Sequence, residues 1–407
     1  MNSTISRRAF LGAGAIGIPV SVAMAKTPNE RSSASPISLS KPLAIDEVST
    51  PALLVDWDRM ESNLKKMAAH SRNKKIGLRP HTKTHKCPIM AKRQMALGAV
   101  GVCAAKVSEA EVMVAGGVDK VLITSPVVTP EKISRVVALA KDHPGVQMVV
   151  DNAQTITDFN QAAQAAGIVL RVILDLDTGT KRTGIAPGRP ALALAQQLDQ
   201  ARGLQFDGLQ AYAGHLMHVK GHAERRRRSL DTFAVALETK AMIEKAGIET
   251  KTLTGGGTGT FDIDCDIEGV TDLQVGSYLF MDVEYRMIGD VDSDVFDYFD
   301  PSLFVLLTAI SQPVPDRITV DGGYKAFASD SVKPEFRDVQ GLVYHWGGDE
   351  HGIVGIQNPS RPVKLGDKLP LIVSHCDPTV NLYDYYHVVR NGQVEELWPI
   401  GARGRSQ

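Results

Sequence analysis

Residues 147–176, QMVVDNAQTITDFNQAAQAAGIVLRVILDL, set two short apolar runs, Gln147–Val150 and Val169–Leu176, around Ala153–Ala166, whose apolar residues recur with a 3.6 period. That is a strand, an amphipathic helix and a second strand, the repeating unit of a parallel sheet. The alternation continues in both directions. Further candidate strands are Ile76–Arg79, Ala99–Cys103, Val121–Thr124, Gln205–Ala211, Thr250–Thr254 and Leu273–Gly276, and helical periodicity recurs in Ser108–Ala115 and Glu131–Lys141. Eight strands predict an α/β fold built on a closed (β/α)8 TIM barrel; an open doubly wound sheet is the alternative. Beyond about Asp290 the texture changes to short β-branched runs, Phe304–Ile310, Arg317–Val320, Pro370–Val373 and Tyr386–Val389. Asn391-Gly392 between Val388–Arg390 and Val394–Leu397 is a hairpin signal. The expected organisation is a barrel over 46–288 followed by a mostly β domain over 289–407. The early strand Ala52–Asp56 is a candidate to join the second domain.

The chain has 407 residues, of which 43% are apolar, enough for a sizeable core and too long for one small domain. Its formal net charge is -1, which gives no support for nucleic acid or an acidic membrane surface as the main partner. The basic run Arg225–Arg228 lies in a helical segment and reads as a solvated face. The four cysteines, Cys87, Cys103, Cys265 and Cys376, form no CxxC pair. A zinc ribbon or thioredoxin-like motif is thereby excluded, and disulfide pairing is left open. At the N-terminus, Ser6-Arg7-Arg8-Ala9-Phe10-Leu11 precedes the apolar run Gly12–Met24, and Ala23-Met24-Ala25 suits cleavage. This pattern predicts a twin-arginine export signal over 1–25, a Ser/Pro/Lys-rich linker over 26–45 and a periplasmic protein. The run is too short and Gly-rich to span a bilayer, and no contact with the membrane beyond export is expected.

Barrel enzymes place reacting groups just beyond the C-terminal ends of the strands. Arg79-Pro80-His81-Thr82-Lys83-Thr84-His85-Lys86 follows the first strand, and a partly desolvated lysine there can form a Schiff base; a surface lysine is the plain alternative. Thr254-Gly255-Gly256-Gly257-Thr258-Gly259-Thr260 follows the seventh strand and Gly276-Ser277-Tyr278 the eighth. Together they expose backbone N–H groups and hydroxyls where barrels commonly bind phosphate. The Gly-rich loop is neither a Walker A loop nor a dinucleotide fingerprint. In the second domain, His375-Cys376-Asp377 on an extended chain would aim His375 and Asp377 the same way, at a shared metal. A polar turn before Pro378 is the alternative.

These segments, with Thr50-Pro51-Ala52-Leu53-Leu54-Val55-Asp56 and Lys106-Val107-Ser108-Glu109-Ala110-Glu111, resemble the D-threonine aldolase and D-serine dehydratase group of fold-type III, alanine-racemase-like enzymes that use pyridoxal 5′-phosphate (PLP). The resemblance spans about 45 to 400, and its most specific part is Arg79–His85. It implies PLP and a divalent metal (Mn, Mg, Zn or Co) as cofactors, a homodimer, and a small-molecule D-amino acid as substrate. It also implies roles: Lys83 carries PLP as a Schiff base, Arg182 faces the pyridine nitrogen, and Tyr212 contacts the cofactor. Thr258, Gly259, Gly276 and Ser277 cradle the phosphate, and His375 and Asp377 bind the metal. His218 matches the histidine near the substrate hydroxyl, with His215 as a competing assignment. The implied reaction is retro-aldol cleavage of a D-threonine-like β-hydroxy amino acid to glycine and an aldehyde. The alternative is a D-serine or 3-hydroxy-D-aspartate dehydratase yielding a 2-oxo acid and ammonia. The group's dehydratases tend to carry His-x-Cys, so His-x-Asp favours the aldolase. A racemase is disfavoured because alanine racemases need no metal, and a non-catalytic PLP-binding protein because this chain has a second domain with a metal pair.

Overall fold

The computed structural model describes residues 35–407. The expected export signal, and the linker as far as residue 34, lie outside the described residues. From 37 onward the linker expectation fails: Ile37–Ala44 is a strand pairing antiparallel with Gln393–Pro399.

All eight expected barrel strands are present, as Gly77–Leu78, Val102–Ala104, Val121–Ile123, Gln147–Val150, Leu170–Asp175, Leu204–Ala211, Thr252–Gly255 and Asp272–Leu273. Each pairs in parallel with its neighbour, and Asp272–Leu273 returns to Gly77–Leu78. The first and second strands close the ring through Val100 N–H to the Leu78 carbonyl and Cys103 N–H to the Pro80 carbonyl, both at 2.8 Å. An open doubly wound sheet is therefore excluded. The alternation of side chains along a strand explains the two apolar layers. Cys103, Leu122, Val149 and Ile173 form a small cluster on four adjacent strands, whereas their flanking residues join the main core. The interior also carries polar groups: the buried Arg79 donates to Asp272 at 2.9 Å and to Gln147 at 3.1 Å.

Helix boundaries follow local chemistry. Ala153–Ala166 starts where the Asn152 side chain accepts the Thr155 N–H and stops at Gly167, whose φ of 69° places it in the left-handed region. Within the helix His222–Lys245 the basic run divides: Arg226, Arg227 and Arg228 are exposed, but Arg225 is fully buried. The solvated-face reading is thus corrected for Arg225.

The second domain is one extended sheet. Its order is Ile37–Ala44, Gln393–Pro399, Tyr385–Arg390, Ala52–Asp56, Leu303–Val314, Arg317–Val320, Gly352–Ile356 and Leu342–Trp346, with Lys368–Ile372 and Glu335–Phe336 branching from Leu303–Val314. Ala52–Asp56 does join this sheet, parallel to Tyr385–Arg390 and antiparallel to Leu303–Val314. The hairpin at Asn391-Gly392 has φ of 50° and 75° at its two turn residues, the left-handed pair that a two-residue turn requires. The domain therefore draws strands from both ends of the described chain, and the barrel lies between them in sequence.

Candidate active site

A cavity of about 700 Å³ opens at the C-terminal ends of the barrel strands, lined in part by His81, Lys83, Lys106, Asn152, Arg182 and Tyr212. Lys83 sits in the single 3-10 turn Thr82–Thr84 that follows the first strand. The residues around it explain why that segment is so rich in charge. His81 accepts the Lys83 N–H on Nδ1 and contacts the Thr124 hydroxyl through Nε2. Burial, then the Lys83 ammonium, holds its pKa well below the ordinary value, so the ring is neutral. His85 is structural: its Nδ1 accepts the Cys87 N–H and its Nε2 faces Gln94. Tyr386 of the second domain donates to the His85 carbonyl at 2.7 Å. Lys86, buried at a φ of 52°, pairs with buried Glu109. Glu109 also accepts the N–H groups of Ala105 and Lys106 at 2.8 and 3.1 Å. That pair ties the Arg79–Lys86 segment to the Lys106–Glu111 segment.

The Lys83 ammonium contacts the carboxylate of Asp377, which comes from the second domain. Burial alone would lower the Lys83 pKa, but Asp377 and then Tyr212 raise it above the ordinary value. Burial would likewise raise Asp377, yet Lys83 and His375 hold it below the usual carboxylate range. His375-Cys376-Asp377 is not extended as expected: His375 caps the short helix Cys376–Val380, and Asp377 lies in its first turn. The helical step buries Cys376, whose N–H donates to Asp282 at 2.9 Å. His375 Nδ1–H donates to the Asp330 carboxylate at 2.8 Å, and Nδ1 lies 3.8 Å from Glu284. Glu284 reaches in the other direction to His218 Nδ1 at 3.6 Å. The His218 ring packs edge-on against Tyr285 at 4.6 Å. Burial lowers the His218 pKa against the opposing field of Asp282.

The structure separates the two candidate histidines. His218 faces Glu284 and the His375 side, whereas His215 packs against Gly179 of the Asp177–Gly184 loop. Arg182, on that same loop, lies 5.8 Å from the Tyr212 ring, and Thr180 donates to the Tyr212 carbonyl. The remaining candidates converge from the last two barrel strands. Tyr278 N–H donates to the Thr258 hydroxyl at 3.0 Å, joining the Gly-rich loop to Gly276-Ser277. A Cβ on Gly276 would stand 2.5 Å from the Thr84 hydroxyl, and one on Gly259 only 2.3 Å from the Met217 carbonyl. Close backbone approach is thus what these two glycines allow.

The donor sets fit the two implied cofactors. The N–H groups of Thr258, Gly259, Gly276 and Ser277 donate to no protein acceptor among the described residues, and backbone N–H groups left in that state are matched by phosphate oxygens. Asp377 Oδ1 is buried without a hydrogen-bond partner, although the Thr84 hydroxyl lies beside that carboxylate. A cation would satisfy it, with imidazole and carboxylate as the donors. No cluster of three or more His, Cys, Asp or Glu side chains among the described residues is arranged around a metal position; His375 and Asp377 are the two candidate donors. All four cysteines are free and buried, and burial pushes Cys87 to about 11 and Cys265 to about 12. Sequence reasoning missed Glu284, Tyr285 and Asp330. The first two had a signal in Asp282-Val283-Glu284-Tyr285, five residues after Ser277; Asp330, in a loop of the second domain, had none.

The chain is similar to known proteins over most of its length. The alanine racemase N-terminal domain family matches residues 55–284, and a putative serine dehydratase domain matches 302–389. A D-threonine aldolase from Arthrobacter sp is 40% identical over 372 residues, covering 91% of this chain and 97% of the relative. A 3-hydroxy-D-aspartate aldolase from Paracoccus denitrificans is 36% identical over 362 residues, covering 88% and 93%. Among solved structures, D-threonine aldolase from Filomicrobium marinum superposes with a TM-score of 0.87 at 39% identity, covering 91% of this chain and 100% of that one. Two matched domains in the same order, a shared barrel and near-complete coverage lead to one assignment: the chain belongs to the D-threonine aldolase-like lyases of the alanine-racemase-like family.

Proposed function

We propose that this protein cleaves D-threonine-like β-hydroxy amino acids by a retro-aldol reaction, giving glycine and an aldehyde, with PLP on Lys83 and a divalent metal at His375 and Asp377. The observation that carries the reading is the contact between Lys83 of the barrel and Asp377 of the second domain, which sets the residue proposed to bear the cofactor beside one of the two proposed to hold the metal. When bound, PLP supplies an electron sink for negative charge at Cα and the metal supplies Lewis acidity toward the β-hydroxyl. The chain's own residues do the rest. Thr258, Gly259, Gly276 and Ser277 offer N–H donors to the phosphate. Arg182, with Tyr212 beside it, would hold the cofactor ring, and its permanent positive charge would disfavour a proton on the ring nitrogen. His218, kept neutral by burial and braced by Glu284 and Tyr285, takes the proton of the β-hydroxyl at a ring nitrogen.

The sequence supports two further proposals. Ser6–Leu11 and the apolar run after it favour twin-arginine export to a periplasm, and family membership favours a homodimer. The decisive assay incubates the PLP-loaded protein with D-threonine, with and without EDTA. Metal-dependent acetaldehyde and glycine are expected; 2-oxobutanoate and ammonia would instead make it a dehydratase. Full activity and metal content in His375→Ala would refute the metal-assisted mechanism.

A further inference from the structure

Arg225 is the one member of the basic run that turns inward, and its burial is complete. Its guanidinium donates to four main-chain carbonyls: Nε to Gly259 at 2.8 Å, Nη1 to Val219 at 3.0 Å and Ile288 at 2.7 Å, and Nη2 to Gly289 at 2.8 Å. No carboxylate pairs with it among the described residues; only the more distant fields of Asp262 and Asp290 reach it. A buried charge without an opposite charge is costly unless something compensates it. Carbonyl dipoles supply part of that compensation. The position of the Nε bond suggests the remainder, because Gly259 belongs to the loop in which the N–H groups of Thr258 and Gly259, with those of Gly276 and Ser277, have no acceptor among the described residues. Gly259 therefore turns its carbonyl oxygen to the guanidinium, while its own N–H, one peptide earlier, belongs to the candidate cradle.

We propose that Arg225 is a positioning residue for the cofactor: a buried cation, one peptide unit behind the Gly-rich loop, whose counter-charge is the phosphate of the bound ligand. The proposal rests on the PLP reading. It assigns the charge of Arg225 to phosphate affinity, and its four hydrogen bonds to the shape of the loop.

Pyridoxal separates the two roles, because it has the ring and aldehyde of PLP but no phosphate. Schiff-base absorbance titrations with each ligand give a PLP-to-pyridoxal affinity ratio for the wild type, Arg225→Met and Arg225→Lys. Arg225→Met should lower the ratio on the order of tenfold, the size expected for unit charges roughly 12 Å apart at an effective dielectric of about 20. Arg225→Lys keeps the charge and loses most of the fork, so its ratio should stay near the wild-type value even where its thermal stability falls. An equal loss of both ligands in Arg225→Met, or a ratio in Arg225→Lys as low as in Arg225→Met, would overturn the proposal. If Arg225→Met does not fold, Arg225→Lys alone decides, since a collapsed ratio there refutes the role of charge. A wild-type protein that shows no Schiff-base absorbance with either ligand would instead sink the PLP reading itself.

Discussion

Replacing Glu109 by Ala should be among the most damaging single changes outside the candidate ligands. Its carboxylate is 2% exposed and its partner Lys86 is 8% exposed, so solvent screens the pair very little. The substitution strands the Lys86 ammonium in the interior, which costs about 3–5 kcal/mol when one partner of a buried pair is removed. It also leaves the Ala105 and Lys106 N–H groups without their acceptor, at about 1–3 kcal/mol for each group that stays dry. Glu109→Gln keeps an acceptor oxygen and should lose roughly half as much. Lys86→Met combined with Glu109→Gln removes the stranded charge and should recover most of the loss, giving a coupling energy of about 2 kcal/mol or more. Urea unfolding of the wild type, Glu109→Ala, Glu109→Gln, Lys86→Met and the double variant at saturating PLP, compared through the midpoint and the slope, gives these differences. Cofactor occupancy should fall in the same order, because the pair fixes the segment that carries Lys83. A loss below about 1 kcal/mol in Glu109→Ala, or strictly additive single changes, would refute the reasoning.

Three further outcomes follow from particular contacts. Burial pushes Asp264 up to about 7 although Ser229 and Thr260 donate to it. Its folded form therefore holds a proton that the unfolded chain releases near 4, and stability from this group falls as pH rises from about 4 to 7. Asp264→Asn should flatten that dependence and gain stability above pH 7, as read by thermal unfolding at pH 5 and pH 8. Gly276→Ala puts a Cβ 2.5 Å from the Thr84 hydroxyl. It should cost about 1–3 kcal/mol of overpacking, visible as weaker PLP binding in a fluorescence titration. Tyr386→Phe removes the hydroxyl that holds the His85 carbonyl at 2.7 Å and should lower stability by about 1 kcal/mol in the same urea assay.

The barrel was legible because each of its strands is a short apolar run set off by helical periodicity, and buried parallel strands need little else. The position of Lys83 and the two glycine segments beyond strand ends was legible for the same reason, whereas Arg182 and Tyr212 came only from the family resemblance. The β domain was harder to read. Ile37–Ala44 carries Pro42 and two serines, which look like linker; it is an edge strand fixed by pairing with residues some 350 positions away, and proline is tolerated at an edge. Leu342–Trp346 and Gly352–Ile356 alternate buried and exposed positions over too few residues to stand out. His375 and Asp377 were picked out by residue type on the argument that an extended chain aims them the same way, but the backbone between them is helical, so that argument does not hold. The inward turn of Arg225 had no signal, since composition does not say which member of a basic run meets the core.

The sheet of the second domain has a consequence for how the chain is made. Ala52–Asp56 finds its antiparallel partner in Leu303–Val314 and its parallel partner in Tyr385–Arg390. Between emergence of the first and of the last of these strands, a ribosome adding 5–20 residues per second needs roughly fifteen to seventy seconds. For most of that interval, until Leu303–Val314 emerges, Ala52–Asp56, whose first four residues are buried in the finished protein, has neither of its lateral partners. An apolar strand with both edges open is a template for pairing with other chains. Holding that strand, rather than folding the barrel, is thus the step at which a chaperone would have the most to do.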